Sequence, residues 1–220
     1  MADAPQNSYL ALPASGRGPG LLVLHAWWGL NGFFRGLCDR LAGEGFVAYA
    51  PDLYRGRVAI TVEDAGRLRA KMNRKHVEVD LATAVRYLRG SEAVSHPALG
   101  VIGFSLGAYL ALGLSVAQAE DVGAVVVFYG TRGGDYTQAQ AAYLGHFAET
   151  DEWVAASGVK GLAKSLRAAH RPATFYTYAG TGHWFFEADR PDAYRPEAAE
   201  LASQRTVEFL RDALGKTSEV

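Results

Sequence analysis

The chain has 220 residues, a formal net charge of −1 and a single cysteine. Charges of both signs are interspersed, which argues against a nucleic-acid partner or a membrane surface, and the lone Cys38 excludes an internal disulfide. No secretory leader is visible and no apolar run approaches the roughly 20 residues of a membrane helix, so a cytoplasmic protein with one domain over 1–220 is expected.

Residues 8–13, SYLALP, alternate and predict an edge strand, closed by the turn-forming ASGRGPG. GLLVLHA (20–26) is a short continuous apolar run, the pattern of a strand buried on both faces. FFRGLCDRLAGEG (33–45) spaces its apolar residues for a helix and ends on Gly43 and Gly45. FVAYAPD (46–52) predicts the next buried strand, stopped by Pro51. A polar stretch from Tyr54 leads into a charged helix around 64–74, and a second helix covers 76–90. A strand ending at Phe104 runs straight into a helix at 106–118. Further strands are expected at 123–130 and 141–148, then a weaker helix near 152–169 interrupted by Gly158 and Gly161. A last strand at 173–180 precedes an amphipathic closing helix at 196–214. This alternation specifies an α/β fold, a mostly parallel central sheet flanked by helices on both faces. In such sheets ligands bind beyond the carboxyl ends of the strands.

Gly103-Phe104-Ser105-Leu106-Gly107 lies at one of those ends, with a strand before it and a helix after. A turn that tight strains the central residue and leaves almost no space for flanking side chains, a demand that two glycines meet. The helix N-terminus then directs its positive dipole end toward any anion formed at Ser105. A serine hydroxyl needs a base to become a nucleophile. Of six histidines, His25 and His183 follow strands on the right edge, while His146 lies inside a strand. His183, in the glycine-rich YAGTGHWFFE loop after the last strand, is the expected base. The acid that orients it should lie between nucleophile and histidine in chain order. Asp151, just after the next-to-last strand, is the expected acid, with Asp135 and the neighbouring Glu149 as competitors and a helix-capping role as its structural alternative. The tetrahedral oxyanion needs two amide donors, expected from Trp27, in the LHAWWGLN segment after the first buried strand, and Leu106. Trp28, Trp184 and Phe185 are expected to form pocket walls with Trp27, one of the adjacent tryptophans packing inward.

Together these segments resemble the dienelactone hydrolase family of the α/β-hydrolase fold. LLVLHAWWGLN, GFVAYAPDLYRGR, VEVDLATAVRYL, LGVIGFSLGA, GHFAETDEWV and GTGHWFFEADRPDAY look like its characteristic segments in the right order, over nearly the whole chain. The resemblance implies a catalytic triad of Ser105, Asp151 and His183. Three positions depart from the best-studied members, which use a cysteine nucleophile, a glutamate before the oxyanion loop and an arginine shortly after the histidine. Here those positions hold Ser105, Ala26 and Glu187. Losing the cysteine and the thiol-activating glutamate together is chemically coherent, because serine needs only general-base help. Glu187 in place of the arginine is expected to repel an anionic substrate.

The expectation is a serine hydrolase of small carboxylic esters or lactones, acting through an acyl-enzyme, with no metal, no organic cofactor and no large cap domain. The alternatives are acyl transfer or perhydrolysis by the same residues, and a non-catalytic ligand-binding protein on this scaffold. Cys38, outside any strand-turn-helix frame, is expected to be a core residue.

Overall fold

The computed structural model describes residues 7–215. Seven strands form one sheet: β1 (Tyr9–Ala11), β2 (Gly20–Leu24), β3 (Val47–Ala50), β4 (Leu99–Phe104), β5 (Val122–Phe128), β6 (Ala142–Ala148) and β7 (Ala173–Tyr178). Among the described residues six helices connect or close them: α1 (Gly32–Gly43), α2 (Val62–Ala70), α3 (Arg74–Arg89), α4 (Leu106–Ala117), α5 (Ala156–Ala168) and α6 (Pro196–Leu214). The strand order is β1-β3-β2-β4-β5-β6-β7. Only β1 runs antiparallel, against β3; every other pair is parallel.

Alternation along the strands sends side chains to two separate cores. Leu21, Val23, Ile102, Phe104, Val126 and Phe128 pack on one face with Phe34, Leu37 and Leu41 of α1 and Leu210 of α6. Leu22, Leu24, Val101, Val125 and Val127 pack on the other with Val77, Leu81 and Val85 of α3, Leu112 of α4 and Leu162 of α5. Strands covered on both faces need apolar residues at every position, which is why β2, β3 and β4 read as unbroken apolar runs. Cys38 is fully buried in the first core, and burial pushes its thiol up to about 12, so it carries no reactive thiolate.

The element boundaries differ from expectation at a few informative places. β1 is three residues long, because Pro13 turns the chain and its carbonyl accepts from Gly16 N at 2.8 Å. The charged helix starts earlier, at Val62, where Thr61 accepts from Asp64 N, and α3 starts after its own cap, Asn73. α5 begins at Ala156 instead of near 152, since residues 151–154 form a separate turn around the Asp151 carboxylate. β5 ends at Phe128 and β7 at Tyr178, two residues short of expectation in each case, which frees Tyr129 and the residues after Tyr178 for the loops above the sheet.

From β2 the chain moves outward to β3 and then returns past β2 to β4, so the direction of winding reverses between β2 and β4. Loops leaving β2 and β4 therefore diverge at their carboxyl ends and open a crevice there.

Candidate active site

Ser105 sits in that crevice with φ 50 and ψ −107, between the last residue of β4 and the first of α4. A β-carbon costs energy in this region of backbone space, so the turn persists only because its surroundings force it. Those surroundings have no spare volume. A Cβ on Gly103 would overlap the Gly107 carbonyl oxygen, and one on Gly107 would overlap the Leu24 carbonyl oxygen at the end of β2. Gly130, after β5, is equally confined: a Cβ there would lie 2.5 Å from Ala108 Cβ and 2.7 Å from the Ser105 carbonyl oxygen. Ser105 N–H donates to the Phe128 carbonyl at 3.0 Å, pinning the elbow to β5.

The three residues expected to work together are in hydrogen-bonded line. His183 Nε2 lies 3.0 Å from Ser105 Oγ. On its other side His183 Nδ1 lies 2.9 and 2.8 Å from the two Asp151 oxygens. A carboxylate accepts only, so the proton belongs on Nδ1 and Nε2 is free to accept from the serine hydroxyl. The His183 and Asp151 side chains are only 4% and 7% exposed. Asp151 also accepts from the Trp153 and Val154 amides at 2.8 and 2.9 Å, so its capping alternative and its contact with His183 coexist in one carboxylate. That cap closes a local turn, not α5.

The other candidates lie elsewhere. Glu149 accepts from Gly180 N at 2.9 Å, at the base of the loop that carries His183, and bonds the loop rather than the imidazole. Asp135 accepts from Thr137 N on the β5–β6 loop. His25 is fully buried: its Nε2 accepts from Leu53 N at 3.3 Å and its Nδ1 donates to the Ala26 carbonyl at 2.6 Å. Burial lowers its basicity, and it ties the end of β2 to the loop after β3. His146 bridges Tyr178 Oη at 2.8 Å and Thr206 Oγ1 at 3.0 Å, and burial pushes its pKa down to about 3.

Leu106 is the first residue of α4, so its N–H has no helical carbonyl to serve. Trp27 lies on the loop beyond β2, whose Leu24 and His25 carbonyls face the first turn of α4 at Gly107. Both residues line a cavity of about 360 Å³ that also holds Ser105 and His183.

The walls of this cavity are aromatic. All four tryptophans of the chain gather here: Trp27 lies 4.9 Å from Trp153 and 6.2 Å from Trp184, and Trp28 lies 5.3 Å from Trp184, between ring centroids. Trp28 is 2% exposed and backs the cluster, with the Arg190 guanidinium 3.7 Å above its ring. Trp28 therefore requires a correction: expected as a wall, it does not line the cavity with Ser105 and packs inward behind Trp184. Phe185 requires a second. It is fully buried against Tyr129 and Tyr178, at 5.6 and 5.1 Å, and forms no wall. Trp153, 51% exposed, takes a wall position that sequence reasoning missed, although it stands two residues after the expected acid. Tyr129, Tyr109 and Arg69 were missed as well. Tyr129 fell inside the strand expected at 123–130, and only the end of β5 at Phe128 places it on the loop above the sheet.

Glu187 requires a third correction. It is fully buried, does not line the cavity, and burial raises its pKa to about 8, so it presents no anionic charge to a substrate. Arg69 lines the cavity wall, and with Leu106 and Tyr109 it is shared with a larger groove of about 570 Å³ along α4.

Comparison with known proteins gives the family and the fold. The model of the dienelactone hydrolase family matches residues 7–214. Protein usf of Aquifex pyrophilus is 34% identical over 217 residues, 94% of each chain. The carboxymethylenebutenolidase of Pseudomonas sp. is 31% identical over 219 residues, 93% of this chain and 89% of that one. A dienelactone hydrolase-like promiscuous phosphotriesterase from metagenomic libraries shares the fold, with a TM-score of 0.85 at 19% identity over 94% of this chain and 92% of its own. The chain belongs to the dienelactone hydrolase family and is an α/β-fold hydrolase of esters or lactones.

Proposed function

We propose that the chain is a serine hydrolase in which Ser105 is the nucleophile, His183 the general base and acid, and Asp151 the group that orients His183. The observation that carries this reading is the hydrogen-bonded line from Ser105 Oγ through His183 to Asp151, built on a serine of positive φ. His183 Nε2 takes the Ser105 proton as Oγ attacks the ester carbonyl, and the Nδ1–H bond to Asp151 stabilises the imidazolium that forms. The oxyanion accepts from the Leu106 and Trp27 amides. His183 then protonates the leaving alkoxide, and the acyl-enzyme remains. Water, deprotonated by the same imidazole, attacks the acyl carbon and releases the acid and Ser105. None of these steps calls for a metal or an organic cofactor.

The cavity favours small esters or lactones whose acyl part is apolar or planar, since Trp27, Trp153 and Trp184 line it beside Ser105. The lactone class is supported by the carboxymethylenebutenolidase relative. Turnover of p-nitrophenyl acetate and butyrate tests the reading. Wild type is expected to hydrolyse both, and Ser105→Ala neither. Asp151→Asn is expected to lose roughly 10³–10⁴ in kcat, because the amide favours the wrong imidazole tautomer. Turnover of wild type and Ser105→Ala at equal rates would contradict it.

A further inference from the structure

Behind the imidazole lies a buried pair that the steps above do not use. The Tyr129 ring centroid is 4.8 Å from that of His183, and the Tyr129 hydroxyl donates to Glu187 Oε1 at 2.7 Å. Both residues are fully buried. They come from different parts of the fold, Tyr129 from the end of β5 and Glu187 from the loop that carries His183. Glu187 closes a tight turn of that loop, its N–H donating to the Trp184 carbonyl at 2.9 Å while Phe185 N–H donates to the Gly182 carbonyl at 3.3 Å. A shift of Glu187 therefore moves the turn on which His183 stands.

We infer that Tyr129 and Glu187 are positioning residues for His183: their hydrogen bond latches the histidine loop to the end of β5 and sets the imidazole plane facing Ser105. This inference rests on the reading of His183 as the base. Asp151 anchors the Nδ1 end of the ring but leaves rotation about that bond open. The Tyr129 ring closes one side, and the edge of Trp184, 5.1 Å away, closes another. Tyr129 holds its place with a backbone φ of 36, strain that a residue serving packing alone has no need to carry. The Glu187 carboxyl is costly in the same sense. Burying a polar group costs several kcal/mol unless it is hydrogen-bonded, and its second oxygen has no partner among the described residues. A leucine would fill the space without that cost, but it could not hold the tyrosine hydroxyl.

The test uses Tyr129→Phe, Glu187→Leu and Glu187→Gln, with active sites counted by a fluorophosphonate so that kcat refers to competent molecules only. Tyr129→Phe and Glu187→Leu are expected to lower kcat by about tenfold or more while KM stays within about twofold. Glu187→Gln keeps an acceptor for the hydroxyl and is expected to restore kcat to within about threefold of wild type. Unchanged kcat per counted site in Tyr129→Phe, with or without a lower Tm, would overturn the inference and leave the pair a structural contact. A rise in KM alone would overturn it as well, by making the pair a substrate contact. Should Glu187→Leu fail to fold, Tyr129→Phe decides alone, since it removes a single oxygen. A wild type that neither labels nor turns over overturns the His183 reading first, and this inference with it.

Discussion

Gly107 has no room for even one methyl group, because the carbonyl oxygen of Leu24 occupies the place a Cβ would take. The clash is with backbone on both sides, so no side-chain rotation relieves it. Gly107→Ala and Gly103→Ala are each expected to lower stability by about 3–5 kcal/mol, read as a shift of the urea midpoint, with turnover lost in whatever folds. A wild-type midpoint in either variant would show that the elbow has slack. Glu187 makes a prediction of opposite direction. Its folded pKa, about 8, lies above the usual carboxyl value of 4.5, so between those pH values the unfolded chain has released a proton that the folded chain retains. Its contribution to stability is present below pH 4.5 and is lost as pH rises toward 8. Glu187→Gln is thus expected to gain stability relative to wild type with increasing pH, most clearly at pH 8. Identical midpoints at pH 5 and pH 8 would rule this out. At this scale the strained turn at Ser105 and its two glycines were legible in the sequence, because the geometry of one turn dictates all three. The buried state of Glu187 was not legible. Its position suggested a charge facing the substrate, and only the partner Tyr129, 58 positions away in the chain, explains why it faces inward.

Ser105, Asp151 and His183 each sit where the chain leaves the carboxyl end of a strand, and the loops of Asp151 and His183 are tied to one another. The Asp151 loop and the His183 loop are joined by Glu149 Oε2 to Gly180 N at 2.9 Å and by Thr150 N to the Thr181 carbonyl at 3.2 Å. These bonds set the distance between acid and histidine before either side chain is considered. Lower in the same sheet, His146 on β6 joins Tyr178 of β7 to Thr206 of α6. Its folded pKa of about 3 lies below the usual histidine value of 6.5, so the unfolded chain binds the extra proton between those limits. Stability from this group is complete above pH 6.5 and falls as the solution is acidified, with a slope of up to about 1.4 kcal/mol per pH unit. His146→Gln is expected to flatten that acid limb in urea titrations from pH 4 to 7; an unchanged slope would assign the acid loss to other groups. Element type and order could be read from hydrophobic period alone, since β2 to β6 are buried on both faces. The ends could not. The turn at 151–154 is organised by one carboxylate that also meets His183, and β7 gives up its last two expected residues to the loop that carries His183.

On the scale of the whole molecule, the reversal of winding between β2 and β4 decides where chemistry takes place. It opens the crevice in which the Ser105 elbow faces the Trp27 loop, and strands β6 and β7 bring Asp151 and His183 to the same rim. The four tryptophans lie at positions 27, 28, 153 and 184, and the fold collects them into one cluster of which Trp27, Trp153 and Trp184 line the cavity. Chain order let Trp27, Trp28 and Trp184 be suspected as walls. Trp153 required the fold, because only the packing of the acid loop against the loop after β2 places it there. The central claim is that Ser105 is an activated nucleophile, and the most direct measurement is intact-mass and peptide mapping of the protein after reaction with a fluorophosphonate. One adduct on the Ser105 peptide, absent from Ser105→Ala and strongly slowed in a folded His183→Ala, is the predicted result. A folded wild type that stays unlabelled, or an adduct that maps to another residue, would contradict the account.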